Sequence, residues 1–247
     1  MKKIFFLVAG FISLCSLTNA QTADDVVNKY VEAVGGKDKL TNVKSVRLTG
    51  KMPAGQGMEF PFTITIKNQE AMRFEMTIQG KSLVQVIQGD SGWSINPFAS
   101  MGGKADAERM TQDEVKEQDD QLDITGELFD YNKKGYAIEF MGKEEVEGTD
   151  AYKLKVTKKD NEVFYDFVDA ESNLLIKQEA VRKMQDKEIK VDTYFSNYKL
   201  VDGIMFPLTI SVKAPEMGDA ATQTMNYDTV EFNVSVDNSM FKMPAKS

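Results

Sequence analysis

The chain has 247 residues, 42% of them hydrophobic, with 38 acidic against 30 basic side chains, one cysteine and no histidine. Without histidine no nucleophile–histidine triad can be built, and a single cysteine excludes an internal disulfide and a Cys/His zinc site. A formal net charge of −8 disfavours nucleic acid and anionic lipid headgroups as partners.

Residues 1–20 read as an export signal. Lys2 and Lys3 form a basic start, residues 4–17 are an apolar run too short to span a bilayer, and Thr18-Asn19-Ala20 is a small-residue cleavage site. Cleavage after Ala20 gives a mature chain of residues 21–247, expected to be soluble, periplasmic and a single domain. Cys15 follows Leu14, where a lipid-attachment site takes a small residue, so no lipid anchor is expected.

Residues 22–34 predict a helix. Thr22 is its N-cap, Asp25 stands at the capping-box position, Val26, Val27, Tyr30, Val31 and Val34 share a stripe, and Gly35-Gly36 ends it. It reads either as a core helix or as a plug for a cavity. Residues 43–52 are the first strand, with Val46 and Leu48 inward. Residues 58–97 then read as four strands in a row. Met58, Phe60, Phe62, Ile64 and Ile66 alternate with Glu59, Pro61, Thr63 and Thr65, and Met72, Phe74, Met76 and Ile78 alternate with Arg73, Glu75 and Thr77. A period of two marks a sheet with one apolar face. Pro61, like Pro207 later, demotes its strand to an edge or marks a bulge.

A loop follows over residues 98–107. A charged helix is predicted over residues 112–122, capped by Thr111 with Glu114, its apolar stripe reduced to Met110, Val115 and Leu122. It reads as a lid or as a solvated helix. Short strands recur from Tyr136 onwards, a hairpin turns at Val201-Asp202-Gly203, and a last strand covers residues 223–236. The fold class is mainly β (α+β): a large curved antiparallel sheet of about ten or eleven strands with two or so helices.

Acid–base chemistry would have to come from carboxylates. The clusters Asp24-Asp25, Asp119-Asp120 and Glu144-Glu145 are chain neighbours that cannot readily face one site, and no phosphate, dinucleotide or calcium loop is present. No catalytic residue, cofactor or metal is expected. The informative excess is apolar: methionines such as Met58, Met72, Met76, Met205 and Met225 lie on strand faces beside Phe and Ile. Two short helices cannot dry so wide a face, which leaves closure into a barrel or a bound ligand.

Arg73-Phe74-Glu75-Met76, followed by Gly89-Asp90-Ser91-Gly92-Trp93-Ser94-Ile95-Asn96-Pro97, resembles the arginine–aromatic strand, turn and Trp motif of the LolA/LolB-like periplasmic carriers. The ending Val236-Asp237-Asn238-Ser239-Met240-Phe241 is similar to that family's closing segment. Gly35-Gly36-Lys37-Asp38-Lys39-Leu40 and Val201-Asp202-Gly203-Ile204-Met205-Phe206-Pro207 resemble phrases of its Bacteroidetes-type members. Ile95 stands where the family pattern has an aromatic. The resemblance implies an incomplete β-barrel with helices over its concave mouth, sheltering the acyl chains of lipoproteins or other lipids for outer-membrane lipoprotein sorting. It also implies inner- and outer-membrane partner proteins and a monomer. On this reading Phe60, Phe62, Phe74, Met76, Trp93, Phe206 and Leu208 line the cavity, and Arg47 or Arg73 holds the lid. The alternative on the same fold is an envelope sensor or protein-interaction module that transports no lipid.

Overall fold

The computed structural model describes residues 21–55, 57–99, 106–184, 187–218 and 222–245. The expected export signal with Cys15, and Met101-Gly102-Gly103 of the loop, lie outside the described residues.

One antiparallel sheet of thirteen strands forms the frame. Strand β1 (Ser45–Pro53) leads a meander of β2 (Glu59–Lys67), β3 (Ala71–Ile78), β4 (Lys81–Gln88), β5 (Ser91–Ile95) and the two-residue β6 (Glu108–Arg109) at one edge. A second meander runs through β7 (Ala137–Val146), β8 (Thr149–Thr157), β9 (Val163–Asp169), β10 (Leu175–Met184), β11 (Lys187–Val201) and β12 (Ile204–Lys213). β13 (Gln223–Phe232) then inserts between β12 and β1, giving the order β6-β5-β4-β3-β2-β1-β13-β12-β11-β10-β9-β8-β7. An open sheet this wide must curl. Its edges β6 and β7 do not pair with each other, so it remains an incomplete barrel. Thirteen strands exceed the ten or eleven expected from the sequence, and one of those not expected is β6, just after the loop read over residues 98–107. β10 also runs well past its apolar start. Lys177 and Glu179 continue the strand and are paired on its outer face: Lys177 Nζ lies 2.7 Å from Glu179 and 3.1 Å from Asp192.

The two prolines mark local edges inside central strands. Pro61 faces Lys51 of β1, and pairing with β3 begins only at Phe62. Pro207 faces Tyr198 of β11, while β12 pairs with β13 only from Thr209 to Val212. The missing N–H of each proline thus falls where a ladder has lapsed. Beside Pro207 the sheet splits between β12 and β13. The split is plugged by rings, with Phe206 lying 5.9 Å from both Tyr227 and Phe232, centroid to centroid. The ladder between β1 and β13 bulges at Thr49/Gly50, where a Cβ on Gly50 would stand 2.1 Å from the Asn226 carbonyl oxygen. Only glycine fits at this bend.

Each half of the concave face has its own cover. Helix α1 (Ala23–Val34) carries the Thr22–Asp25 capping box and buries Val26, Val27 and Val34. Val26 and Val27 pack on Leu154, Val156, Phe164 and Val168 of the β7–β10 half. Gly35, at φ 146°, ends α1 where a Cβ would meet the Gly203 carbonyl oxygen at 2.6 Å, and α2 (Lys37–Thr41) follows. Over the other half lies α3 (Gln112–Lys116), with the Thr111–Glu114 capping box, then a 3₁₀ turn (Asp119–Leu122). The single helix predicted over residues 112–122 is therefore two pieces. Val115 and Leu122 pack with Leu48, Ile64, Met72 and Ile87. A last short helix, α4 (Tyr131–Lys134), leads into β7.

Candidate functional site

Residues 111–128 form a strap across the concave face, tied to both halves of the sheet. On the β1–β5 side, Gln85 donates to Gln118 Oε1 at 2.6 Å, Gln69 N–H donates to the Leu122 carbonyl at 2.8 Å, and Ile124 N–H donates to Asn68 Oδ1 at 3.1 Å. On the β8–β10 side, Lys158 Nζ reaches Asp120 at 2.6 Å and Glu162 at 2.5 Å, and Arg182 pairs with Asp120 at 3.8 Å and with Glu162. Burial works to lower the Lys158 ammonium pKa, but the bonds to Asp120 and Glu162 outweigh it and hold it above the ordinary lysine range.

Between the strap, α1 and the sheet lies a cavity of about 580 Å³. Its apolar wall comes from β1, β2, β3, β12 and β13, with Leu48, Ile64, Met72, Phe206, Met225 and Phe232 among the lining side chains. Its other wall is polar. Glu117, Asp120, Asp123 and Glu127 of the strap face Gln178, Arg182 and Thr193 of β10 and β11. Beneath this wall, on the concave side of β9, Asp166 is fully buried. It accepts a 3.0 Å hydrogen bond from Gln178 Nε2, and its Oδ2 has no partner. Burial, with the charge of Glu127 nearby, pushes the Asp166 carboxyl well above the usual carboxylate range. Glu127 is also raised, by burial first and then by Asp120 and Asp123. Burial likewise raises Tyr30 and Tyr198, which line the same space.

The sequence-selected residues divide between the two faces. Phe206 lines the cavity. Phe62, Phe74, Met76 and Leu208 belong to the packed cluster on the same face, Phe62 and Phe74 stacking at 6.1 Å. Phe60 shares their side of β2 but sits at its outer end, half-buried, opposite Met52. Trp93, Arg73 and Arg47 stand on the opposite, convex face. Cross-strand register puts Arg47, Thr65, Arg73, Val86 and Trp93 in one row. Trp93 is buried with Ala71, Val84, Val86 and Phe241, and its Nε1 donates to the Phe241 carbonyl at 2.8 Å. Arg73 donates to the Met240 carbonyl at 3.2 Å and lies 5.8 Å from the Trp93 ring. Both hold the C-terminal turn (Asn238–Phe241), on the side away from the strap. The arginine that reaches the strap is Arg182. The sequence reading passed over Arg182, Lys158, Glu127 and Asp166. The one local signal was Asp166 itself, a lone acid in step with Phe164 and Val168.

A wide curled sheet whose edges stay unpaired and whose concave face holds a strapped cavity defines an incomplete-barrel class of β protein. The model of a family described as "-like: Uncharacterized protein" matches residues 106–245, more than half of the chain, and the chain belongs to that family. Comparison with curated proteins gives no match. Among solved structures, a LolA superfamily protein from Nitrosomonas europaea is similar at 14% identity with a TM-score of 0.55, over 90% of this chain and 98% of that one. A putative outer membrane lipoprotein-sorting protein domain from Vibrio parahaemolyticus is similar at 13% identity with a TM-score of 0.54, over 88% and 94%. The fold is the LolA fold. Among the described residues no helix is long and apolar enough to cross a membrane.

Proposed function

We propose that this protein is a periplasmic carrier. It takes the acyl chains of a lipoprotein, or of another lipid, into the half-barrel cavity and hands them to a membrane partner. The observation that carries the reading is the cavity of about 580 Å³ with a continuous apolar wall from β1 to β3, β12 and β13. This lies within the roughly 300–1,000 Å³ range of small-ligand sites. Area-driven apolar contact binds an alkyl chain without cofactor or bond chemistry. The LolA fold and the export signal read over residues 1–20 support it. Leu48, Ile64, Met72, Phe206, Met225 and Phe232 are the lining residues of this proposal.

Native mass spectrometry of the mature chain from the periplasm, followed by organic extraction, tests it. The expected result is an acyl species bound in near-stoichiometric amount. A bare protein mass, together with no displacement when a fluorescent fatty acid is added, overturns it in favour of the interaction module.

A further inference from the structure

A second cavity, of about 610 Å³, lies where α2, the start of β1, the β2–β3 turn and α4 meet. Its floor is apolar and buried, made of Leu40, Val43 and Phe129. Its rim carries four lysines, Lys44, Lys67, Lys133 and Lys134, against two carboxylates, Glu70 and Asp130. The formal charge of −8 disfavours anions for the chain as a whole, and this rim is a local exception. Leu40, Val43 and Thr125 line both this space and the strapped cavity, so the two adjoin.

The four lysines are not equally committed. Lys134 is enclosed and fully engaged: its Nζ lies 2.5 Å from Asp123 and donates to the Gly126 carbonyl at 2.5 Å. Lys67 pairs with Glu70 at 2.5 Å and Lys133 with Asp130 at 2.5 Å. Glu70 and Lys133 are exposed, and such pairs hold weakly. Asp130 is also shared with Lys37 at 3.8 Å. Lys44 has no carboxylate partner among the described residues, and its Nζ donates only to the Thr41 carbonyl at 3.4 Å.

An incoming anion therefore meets Lys44 without displacing a carboxylate, and draws Lys133 and Lys67 from weak pairs. A phosphate offers several acceptor oxygens, and each ammonium makes charge-assisted hydrogen bonds to them. The strapped cavity itself sets the direction of the molecule. Glu117, Asp120, Asp123 and Glu127 line its polar wall against one lining cation, Arg182, so an anionic head is disfavoured there and favoured at the lysine rim. We infer that the cargo is an amphiphile with a phosphate head. The head seats at Lys44, Lys67 and Lys133, and the chain runs over Leu40 and Val43, the residues common to both spaces, into the strapped cavity. The inference rests on the carrier reading and adds the class of cargo.

Displacement of a neutral polarity-sensitive dye from the mature protein tests it. Dodecyl phosphate, dodecanol and dodecyltrimethylammonium are compared at pH 7 below their micellar concentrations. Dodecyl phosphate is expected to displace the dye at a concentration about tenfold below dodecanol, with the cation weakest. The double variant Lys44→Gln/Lys133→Gln, at two exposed positions, should bring phosphate and alcohol within about threefold and leave dodecanol unchanged. Lys29→Gln, exposed on α1, should keep the full preference, which separates the rim from a general effect of charge. Inorganic phosphate at the same concentration should leave the dodecyl phosphate curve unchanged. Loss of the preference in its presence would mean that the lysines take a free anion, and overturns the headgroup assignment. Equal displacement by all three amphiphiles, or a phosphate preference that survives the double variant, overturns the inference and leaves carriage standing. Failure of every amphiphile to displace the dye overturns carriage and this inference with it.

Discussion

Strands β2 to β5 have two faces built by one hydrophobic period and closed in different ways. On the convex side the C-terminal turn lies directly on the strands, and Phe241, Trp93, Val84 and Val86 make a small dry cluster sealed by the Trp93–Phe241 hydrogen bond. On the concave side Leu48, Ile64, Ile66 and Met72 meet a strap that touches them through Val115 and Leu122 and leaves a cavity beside them. The convex cover is a local tail seated on one patch. The concave cover must span two halves of a sheet that diverge at the split between β12 and β13, so it cannot contact all of both. The open volume follows from the curvature and not from a lack of apolar side chains.

The difference is broken most strongly on the convex side. Trp93→Ala should lower unfolding stability by about 3–5 kcal/mol, the range for truncating a buried tryptophan. Lipid affinity of the folded protein should be unchanged. Urea unfolding paired with ligand titration checks both, and a large loss of affinity would return Trp93 to the cavity.

Lys158→Ala ranks next. The Lys158 side chain keeps only 9% of its exposure, and its removal leaves Asp120 and Glu162 with Arg182 as their remaining cation. A fully buried pair loses about 3–5 kcal/mol when one partner is cut. Roughly 2 kcal/mol is expected here, because Asp120 and Glu162 keep 26% and 25% of theirs and solvent screens them. Proteolysis should then cut first within the strap.

Asp166→Asn acts in the opposite direction. In the folded protein the Asp166 pKa is raised by burial, so the folded state holds its proton to higher pH than the unfolded chain does. The stability is present below the unfolded value of about 4 and is lost as pH rises towards the folded pKa. Asp166→Asn should therefore flatten the pH dependence of Tm above about pH 4 and raise stability at pH 7. A melting series from acid to neutral pH checks the sign. Met225→Trp, which fills the cavity from β13, should lower lipid affinity about tenfold, or about 1.4 kcal/mol, while the sheet still forms.

How far these faces could be read from the sequence depends on the distance over which the information is local. Both capping boxes, Thr22–Asp25 and Thr111–Glu114, are local and are found where the sequence puts them. Alternation within β2 and β3 gives the residues that share a face, and Phe62, Phe74 and Met76 do share one. Which face that is, and whether Trp93 two strands away joins it, depends on the register through two turns, and the register sets Trp93 against Val86 in the Arg73 row. Its partner Phe241 lies 148 residues on. The polar wall needed a contact of the same kind: Glu127 lies near the end of the strap and Asp166 sits on β9, and only the fold brings them together.

The smallest effects compare the two covers directly. Thr22→Ala and Thr111→Ala each remove the side-chain oxygen that caps a helix start, accepting from Asp25 N–H and Glu114 N–H at 3.2 Å. Each should cost about 1 kcal/mol. The consequences differ because α1 is 12 residues long and buries three valines, whereas α3 is 5 residues long and buries only Val115. Loss of the α1 cap should be absorbed by the remaining turns and appear as a small shift in global unfolding. Loss of the α3 cap should appear as local opening of the strap, with amide exchange at Val115 and Glu117 rising about fivefold while β1–β4 amides keep their protection. Equal acceleration across the strap and the β1–β4 core in Thr111→Ala would mean that the strap is an integral layer of the core. It would then not be the separately opening cover through which a ligand enters.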